Sequence, residues 1–146
     1  MENVYIRSAK PQDLNFINHS WLKSYRNLPP VTSIPNYVYW PKQTPIVAGL
    51  IERSQVLVLA DGQDHDHIVG YVVYERKCDV CIVHYVYIKQ TYRRLGLAQL
   101  LLNSVRAPLP PETPVLTTHW LKPCLFGHIL KSVPLVYNPY LIGGVK

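Results

Sequence analysis

The chain is 146 residues long, 48% apolar and 16% charged, which suits one compact domain over 1–146 and excludes a disordered chain. Fifteen Lys and Arg against nine Asp and Glu leave a net charge of +6, so an anionic partner is expected, either nucleic acid or a cofactor carrying several phosphates. The N-terminus lacks the basic-then-apolar signature of a secretory signal, and no apolar run nears the roughly 20 residues of a spanning helix, so no membrane partner and a cytoplasmic setting are expected.

In chain order, Val4 and Ile6 alternate with their neighbours and predict a first strand. Pro11 suits a first helical turn and Asp13 the positive end of a helix dipole. Leu14, Ile17, Trp21 and Tyr25 then recur at helical spacing, which predicts an amphipathic helix over 11–26. Residues 27–43, broken by Pro29, Pro30, Pro35 and Pro41, read as irregular. Thr44-Pro45 reads as the cap and first position of a short helix running to about Arg53. Val56–Leu59 and Ile68–Tyr74 predict a hairpin around the polar turn that starts at Asp61-Gly62, and Val80–Ile88 a third strand of β-branched and aromatic residues. A helix is expected from Gly96 to Arg106, stopped by Pro108, Pro110 and Pro111. Val115–Thr118 predicts a strand, 122–132 a weaker helix, and 135–142 a last strand interrupted at Asn138-Pro139. The class is α/β (α+β), in the order βααβββαβαβ.

One segment carries chemistry. Tyr87-Ile88 end a strand, Lys89-Gln90-Thr91-Tyr92 make a polar turn, and Arg93-Arg94-Leu95-Gly96-Leu97-Ala98 lead into a helix. The first turn of a helix has free N–H groups and a positive dipole end, which together attract an anion. Gly96 and Ala98 leave that backbone unshielded, and Arg93 and Arg94 add charge at its rim, so the pattern predicts a cradle for a diphosphate.

Arg93-x-x-Gly96-x-Ala98 resembles the Arg/Gln-x-x-Gly-x-Gly/Ala motif of the GCN5-related N-acetyltransferases, the GNAT family. The order of elements from residue 3 to about 119 is similar to theirs as well. The resemblance implies the GNAT fold, a mixed and mostly antiparallel central sheet flanked by helices, with acetyl-CoA as cofactor. It implies that Arg93, Arg94, Leu95, Gly96, Leu97 and Ala98 hold the pyrophosphate of coenzyme A, and that Tyr87 and Ile88 meet its pantetheine arm. It also implies transfer of an acetyl group to an amine of a small molecule or polypeptide by direct attack, without a covalent enzyme intermediate. The shortened C-terminus departs from the family, whose members usually finish with two strands. Either a tight hairpin fits into 135–142 or the sheet is truncated, and a second copy in a homodimer could complete it.

An attacking amine needs a proton acceptor. Alternation along 80–88 puts Val80, Ile82, His84, Val86 and Ile88 on one face, and His84 is the titratable side chain there. An imidazole titrates near neutrality, and several relatives carry a His or Glu base on this strand. A half-buried strand histidine with one hydrogen bond is the plainer alternative. Glu75 is a second candidate base, or a surface residue paired with Arg76 or Lys77. The family's usual acid, a Tyr on the helix after the fifth strand, is absent from 121–132, which leaves Tyr137 or His128 as substitutes, with Cys124 and Phe126 nearby. Trp21, Tyr25, Tyr37, Tyr39 and Trp40 belong to the segment that walls the acceptor side in relatives. They would stack on a flat or apolar acceptor, and core packing explains Trp21 and Tyr25 equally well.

Other signals are structural in character. Cys78 and Cys81, three apart in a strand, point to opposite faces, and three cysteines without framework spacing fit a reducing compartment. Asp64-His65-Asp66-His67 reads as a polar turn, so no metal is expected. The segment from Phe16 to Arg26 is similar to segments of small phage acetyltransferase-like proteins, and phage enzymes of the Mom type use this fold to modify adenine in DNA. A DNA-modifying enzyme is therefore one alternative. A catalytically degenerate acyl-CoA-binding module, which the missing Tyr would permit, is another.

Overall fold

The computed structural model describes residues 4–28, 31–77, 80–119 and 135–143. Strand β1 (Val4–Ser8) pairs antiparallel with β2 (Gln55–Asp61), β2 with β3 (Ile68–Lys77), and β3 with β4 (Val80–Ile88). The direction then changes. Strand β5 (Val115–Thr117) runs parallel to β4, and β6 (Leu135–Tyr137) parallel to β5, completing a six-stranded sheet in sequence order.

Both faces of this sheet are apolar and both carry helices. Helices α1 (Leu14–Tyr25) and α2 (Asn36–Arg53) lie on one face, where Ser20 and Ser24 of α1 bond the hydroxyls of Tyr71 at 2.8 Å and Tyr85 at 2.6 Å. Helix α3 (Leu97–Arg106) lies on the other, where Arg76 Nε donates to the Val105 carbonyl at 2.8 Å. Ile17 and Trp21 of α1, Val47 and Leu50 of α2 and Leu101 of α3 are fully buried against the strands. Among the described residues no helix is long and apolar enough to cross a membrane.

Several elements differ from the sequence expectation. Residues 11–13 form a 3-10 turn ahead of α1, and Asp13 there accepts the Lys10 backbone N–H and an Arg7 guanidinium N–H, both at 2.7 Å. Helix α2 starts eight residues before the expected Thr44 and runs unbroken through Pro41 and Pro45. Tyr39, Gln43, Val47 and Leu50 follow helical spacing and face inward, while both prolines lie on the exposed side. The carbonyls that lose a partner there, one turn before each proline, belong to that helix's solvent side. Strand β6 stops at Tyr137, and a 3-10 turn from Pro139 to Gly143 follows. The expected helix over 122–132, with Cys124, Phe126 and His128, lies outside the described residues, as does Cys78.

The alternation along β4 is also interrupted. Val73 pairs with Tyr85 but Tyr74 with Val83, so His84 is the extra residue of a β-bulge. Ile82 lies opposite Glu75, whereas Val86 and Ile88 lie opposite Val72 and Gly70. Val86 and Ile88 therefore face α3, across the sheet from Ile82, and the single shared face expected for 80–88 does not form.

Candidate active site

The site is built where β4 and β5 part. They pair from Cys81–Val115 to Val83–Thr117 only, and among the described residues β4 continues through 84–88 without β5 beside it. Because β4, β5 and β6 are parallel, Ile88, Thr118 and Tyr137 all come off carboxyl ends of strands, the end at which open sheets bind ligands.

The motif residues follow β4. A 3-10 turn over Gln90–Tyr92 leads to Arg93, whose Nε donates to the Ile88 carbonyl at 2.8 Å and ties the loop back to the strand end. Arg94 (φ 67°) and Gly96 (φ 77°) both adopt left-handed backbone. Among the described residues no side chain caps α3, so the N–H groups of its first turn are left for a ligand. A Cβ built on Gly96 would meet nothing within 4 Å, so open space lies before that turn. Arg93, Arg94 and Leu95 are exposed, and Leu97 is buried beneath them. An uncapped helix N-terminus, two guanidinium groups and a glycine facing open space fit a diphosphate. Gly70 has the opposite surroundings. A Cβ there would lie 2.5 Å from the Tyr87 carbonyl oxygen and 2.6 Å from Ile88 Cδ1, so β3 passes close behind the end of β4.

At the point of separation stands a buried polar chain. His84 is wholly buried; its Nε2 lies 2.7 Å from Glu75 Oε2 and its Nδ1 2.7 Å from Thr118 Oγ1. Thr118 Oγ1 is also 3.1 Å from His119 Nδ1, and His119 Nε2 is 2.7 Å from the amide nitrogen of Gln43 on α2. Glu75 receives Arg53 Nε at 3.4 Å as well, so Arg53 and His84 are both partners of this carboxylate. Arg76, one residue on, turns to α3.

Electrostatics assigns charges to this chain. Burial lowers the His84 pKa below its ordinary value, and although Glu75 opposes that shift, the imidazole stays neutral at pH 7. Burial raises the Glu75 pKa, but the His84 hydrogen bond and the charge of Arg53 outweigh it, so the carboxyl ends below its usual range and is ionised. Burial, with His84 adding to it, pushes His119 down to about 3. His119 packs edge-on to Trp21 and Tyr25, with ring centroids 5.1 and 4.9 Å away, and Trp21 stacks on Tyr85 at 5.2 Å. The Trp21 Nε1–H is buried and has no hydrogen-bond partner among the described residues.

The other candidates are dispersed. Trp21, Tyr25 and Tyr39 are core residues, the last donating its hydroxyl to the Leu22 carbonyl, while Tyr37 is exposed and Trp40 partly so. Tyr137 sits on β6 opposite Thr117 with half its surface exposed. Cys81 is buried in β4, and burial pushes its thiol up to about 11. In the 64–67 turn, Asp64 accepts the Asp66 N–H and Asp66 accepts from Gln12, so both carboxylates serve the turn and its neighbours. Gln43, Thr118 and His119 had no motif or spacing to single them out.

Residues 17–107 match the model of the acetyltransferase (GNAT) family. No curated protein matches the chain by sequence. Among solved structures, a protein of Pyrococcus furiosus superposes with a TM-score of 0.58 at 14% identity, covering 98% of this chain and 93% of its own. YjaB from Escherichia coli gives 0.57 at 14% identity, over 77% of this chain and 69% of its own. Ribosomal-protein-alanine N-acetyltransferase from Brucella melitensis biovar Abortus 2308 gives 0.53 at 13% identity, over 92% and 80%. At such identities the structural likeness establishes the shared fold.

Proposed function

The chain belongs to the GNAT acetyltransferase family, and on that premise we propose that it is an acetyl-CoA-dependent N-acyltransferase moving an acetyl group to an amine of a small molecule or polypeptide. The observation that carries this proposal is the spacing along β4. At one end lies the uncapped, glycine-led start of α3, and at the other the buried His84 and Thr118 with the part-buried Glu75. Between them residues 84–88 extend over roughly 13 Å, at about 3.3 Å per step, comparable with much of an extended pantetheine arm.

Bound acetyl-CoA would supply an activated thioester. Arg93, Arg94 and the backbone of Leu95–Ala98 would hold its diphosphate, and the strand edge at Tyr87 and Ile88 would align its arm. His84, neutral at pH 7 and paired with ionised Glu75, would take the proton lost by the amine. Tyr137, half-exposed at the end of β6, is the proton donor in this scheme. The exposed Tyr37 and Trp40 would meet the acceptor. Acetyl-CoA as acyl donor would suit a cytoplasmic setting.

The test is release of free coenzyme A from acetyl-CoA across a panel of primary amines, small and peptidyl. Amine-dependent release is expected. Binding of acetyl-CoA with no release above hydrolysis for any amine would instead identify a binding module without catalysis.

A further inference from the structure

We propose that the acceptor is an aromatic amine that also carries a carboxylate, with Arg26 receiving the carboxylate and Trp40 and Tyr37 the ring; this rests on the acyl-transfer function proposed above. The net charge of the chain is unevenly placed. Residues 14–51 and 113–146 contain six Lys and Arg and no Asp or Glu. The other nine Lys and Arg equal the nine Asp and Glu in number, so the whole net charge of +6 belongs to these two segments. They build α1, most of α2, β5 and β6, and the motif loop lies outside both. Outside them cations meet carboxylates, as in Arg7–Asp13 at 2.7 Å, Lys10–Asp66 at 3.9 Å and Arg53–Glu75 at 3.4 Å. Lys23, Arg26 and Lys42 have no carboxylate partner among the described residues.

Two helices bring part of this charge to the place where β4 and β5 separate. Tyr25, the last residue of α1, has its ring 4.9 Å from that of His119, and the Gln43 amide nitrogen of α2 lies 2.7 Å from His119 Nε2. His119 comes two residues after the last β4–β5 pair, so both helices converge beside the separation. Arg26 is the next residue after Tyr25, and Trp40 lies one turn before Gln43. Arg26 is partly exposed and held in place. Its Nε donates to Asn36 Oδ1 at 3.0 Å, its Nη1 to the Val31 carbonyl at 2.8 Å, and its Cζ lies 5.2 Å from the Tyr39 ring centroid. Arg26 Nη2 has no partner among the described residues. The Tyr39 ring in turn meets the Trp40 ring edge-on, with centroids 5.1 Å apart. Trp40 is 39% exposed and Tyr37 81%, and a spacing of three makes them neighbours on the helix surface.

A guanidinium fixed in orientation, with one nitrogen still unbonded, suits a carboxylate. Exposed indole and phenol rings suit a flat apolar body. A basic surface without carboxylates repels an amine that brings further positive charge, so polyamines are disfavoured. A nucleic acid is anionic too, but it is held through many phosphate contacts, and this corner offers three cations among the described residues. The combination selects a small molecule with one carboxylate, one ring and one amine, as in an α-amino acid with an aromatic side chain.

Calorimetry with 3-phenylpropionate and 3-phenylpropionamide, which differ in the carboxylate and carry no amine, tests this together with kinetics on phenylalanine and spermidine. With coenzyme A present, wild-type protein should bind the carboxylate about 10-fold more tightly than the amide. Arg26→Gln should abolish that preference, and Arg26→Lys, which keeps the charge but loses the fork, should restore part of it. Trp40→Ala should weaken both ligands alike. In turnover, phenylalanine should be the better acceptor and spermidine the poorer. Arg26→Gln should raise KM for phenylalanine about 10-fold while leaving kcat and the KM for acetyl-CoA unchanged. A merely structural Arg26 would instead weaken carboxylate and amide equally, and that result overturns the proposal. So does a wild-type protein that binds the amide as tightly as the carboxylate, or that prefers spermidine. If Arg26→Gln does not fold, the wild-type preference decides. Transfer to spermidine but not to phenylalanine would leave the acyl-transfer reading and remove this one, whereas transfer to no amine by protein that binds acetyl-CoA would overturn both.

Discussion

His119 is buried between Trp21 and Tyr25, and that burial, reinforced by His84, pushes its pKa down to about 3. An unfolded imidazole ionises near 6.5, so the folded chain binds fewer protons over the interval between the two values. The stability this neutral ring contributes is fully present above about 6.5 and is lost as the pH falls from there towards 3. Urea unfolding should therefore show stability falling by up to about 1.4 kcal/mol per pH unit from this group between pH 6 and 4. His119→Gln, which keeps a donor and an acceptor, should flatten that slope; an unchanged slope contradicts the assignment. How such residues come together was only partly visible in the sequence. His84 stood out as the titratable residue of an apolar strand. Gln43 and His119 are 76 positions apart, and nothing in a linear pattern joins them. Glu75 read as a second base or as a surface partner of Arg76 or Lys77; a strand turns consecutive side chains to opposite faces, and Arg76 reaches α3 instead.

Among the elements, β4 departs from its pattern by one residue with large effect. The bulge at His84 turns Val86 and Ile88 to α3, a break that no alternation count reveals because β-branched and aromatic residues fill both faces. Helix α2 shows the converse. The spacing of Tyr39, Gln43, Val47 and Leu50 was present in the sequence, but four prolines over 29–41 masked it. The limits of β2, β3 and β5 and the α3 segment were legible to within a few residues because turn residues and apolar runs agreed there. The close passage of β3 behind β4 was not, since a strand glycine has several explanations. It yields a prediction. Gly70→Ala must displace the Tyr87 carbonyl or the Ile88 side chain, so stability should fall by about 1–3 kcal/mol and acetyl-CoA affinity should fall with it. Thermal unfolding and calorimetry on the same sample check both, and an unaltered affinity would separate the end of β4 from cofactor binding.

Across the whole molecule, the strand ends of the parallel part of the sheet gather the motif loop, Thr118 and Tyr137, while the net charge of +6 offers a general attraction for anions. Bound acetyl-CoA would account for part of that charge. A nucleic-acid acceptor would instead require many phosphate contacts, whose affinity falls steeply with salt. Duplex binding at physiological salt should therefore be weak, and nucleoside mass spectrometry of DNA co-expressed with the protein should show no modified adenine. An adenine modified only by active protein would redirect the function to DNA. The central claim is the diphosphate cradle at α3, and calorimetric titration of acetyl-CoA tests it most directly. Wild-type protein should bind saturably. Gly96→Ala, which shares the left-handed strain of about 1–2 kcal/mol but leaves the space before the helix largely open, should retain binding. Gly96→Glu, which places a carboxylate where the phosphates would sit, should remain folded and lose it. Equal affinity in wild type and Gly96→Glu, or no binding by folded wild-type protein, would contradict the account.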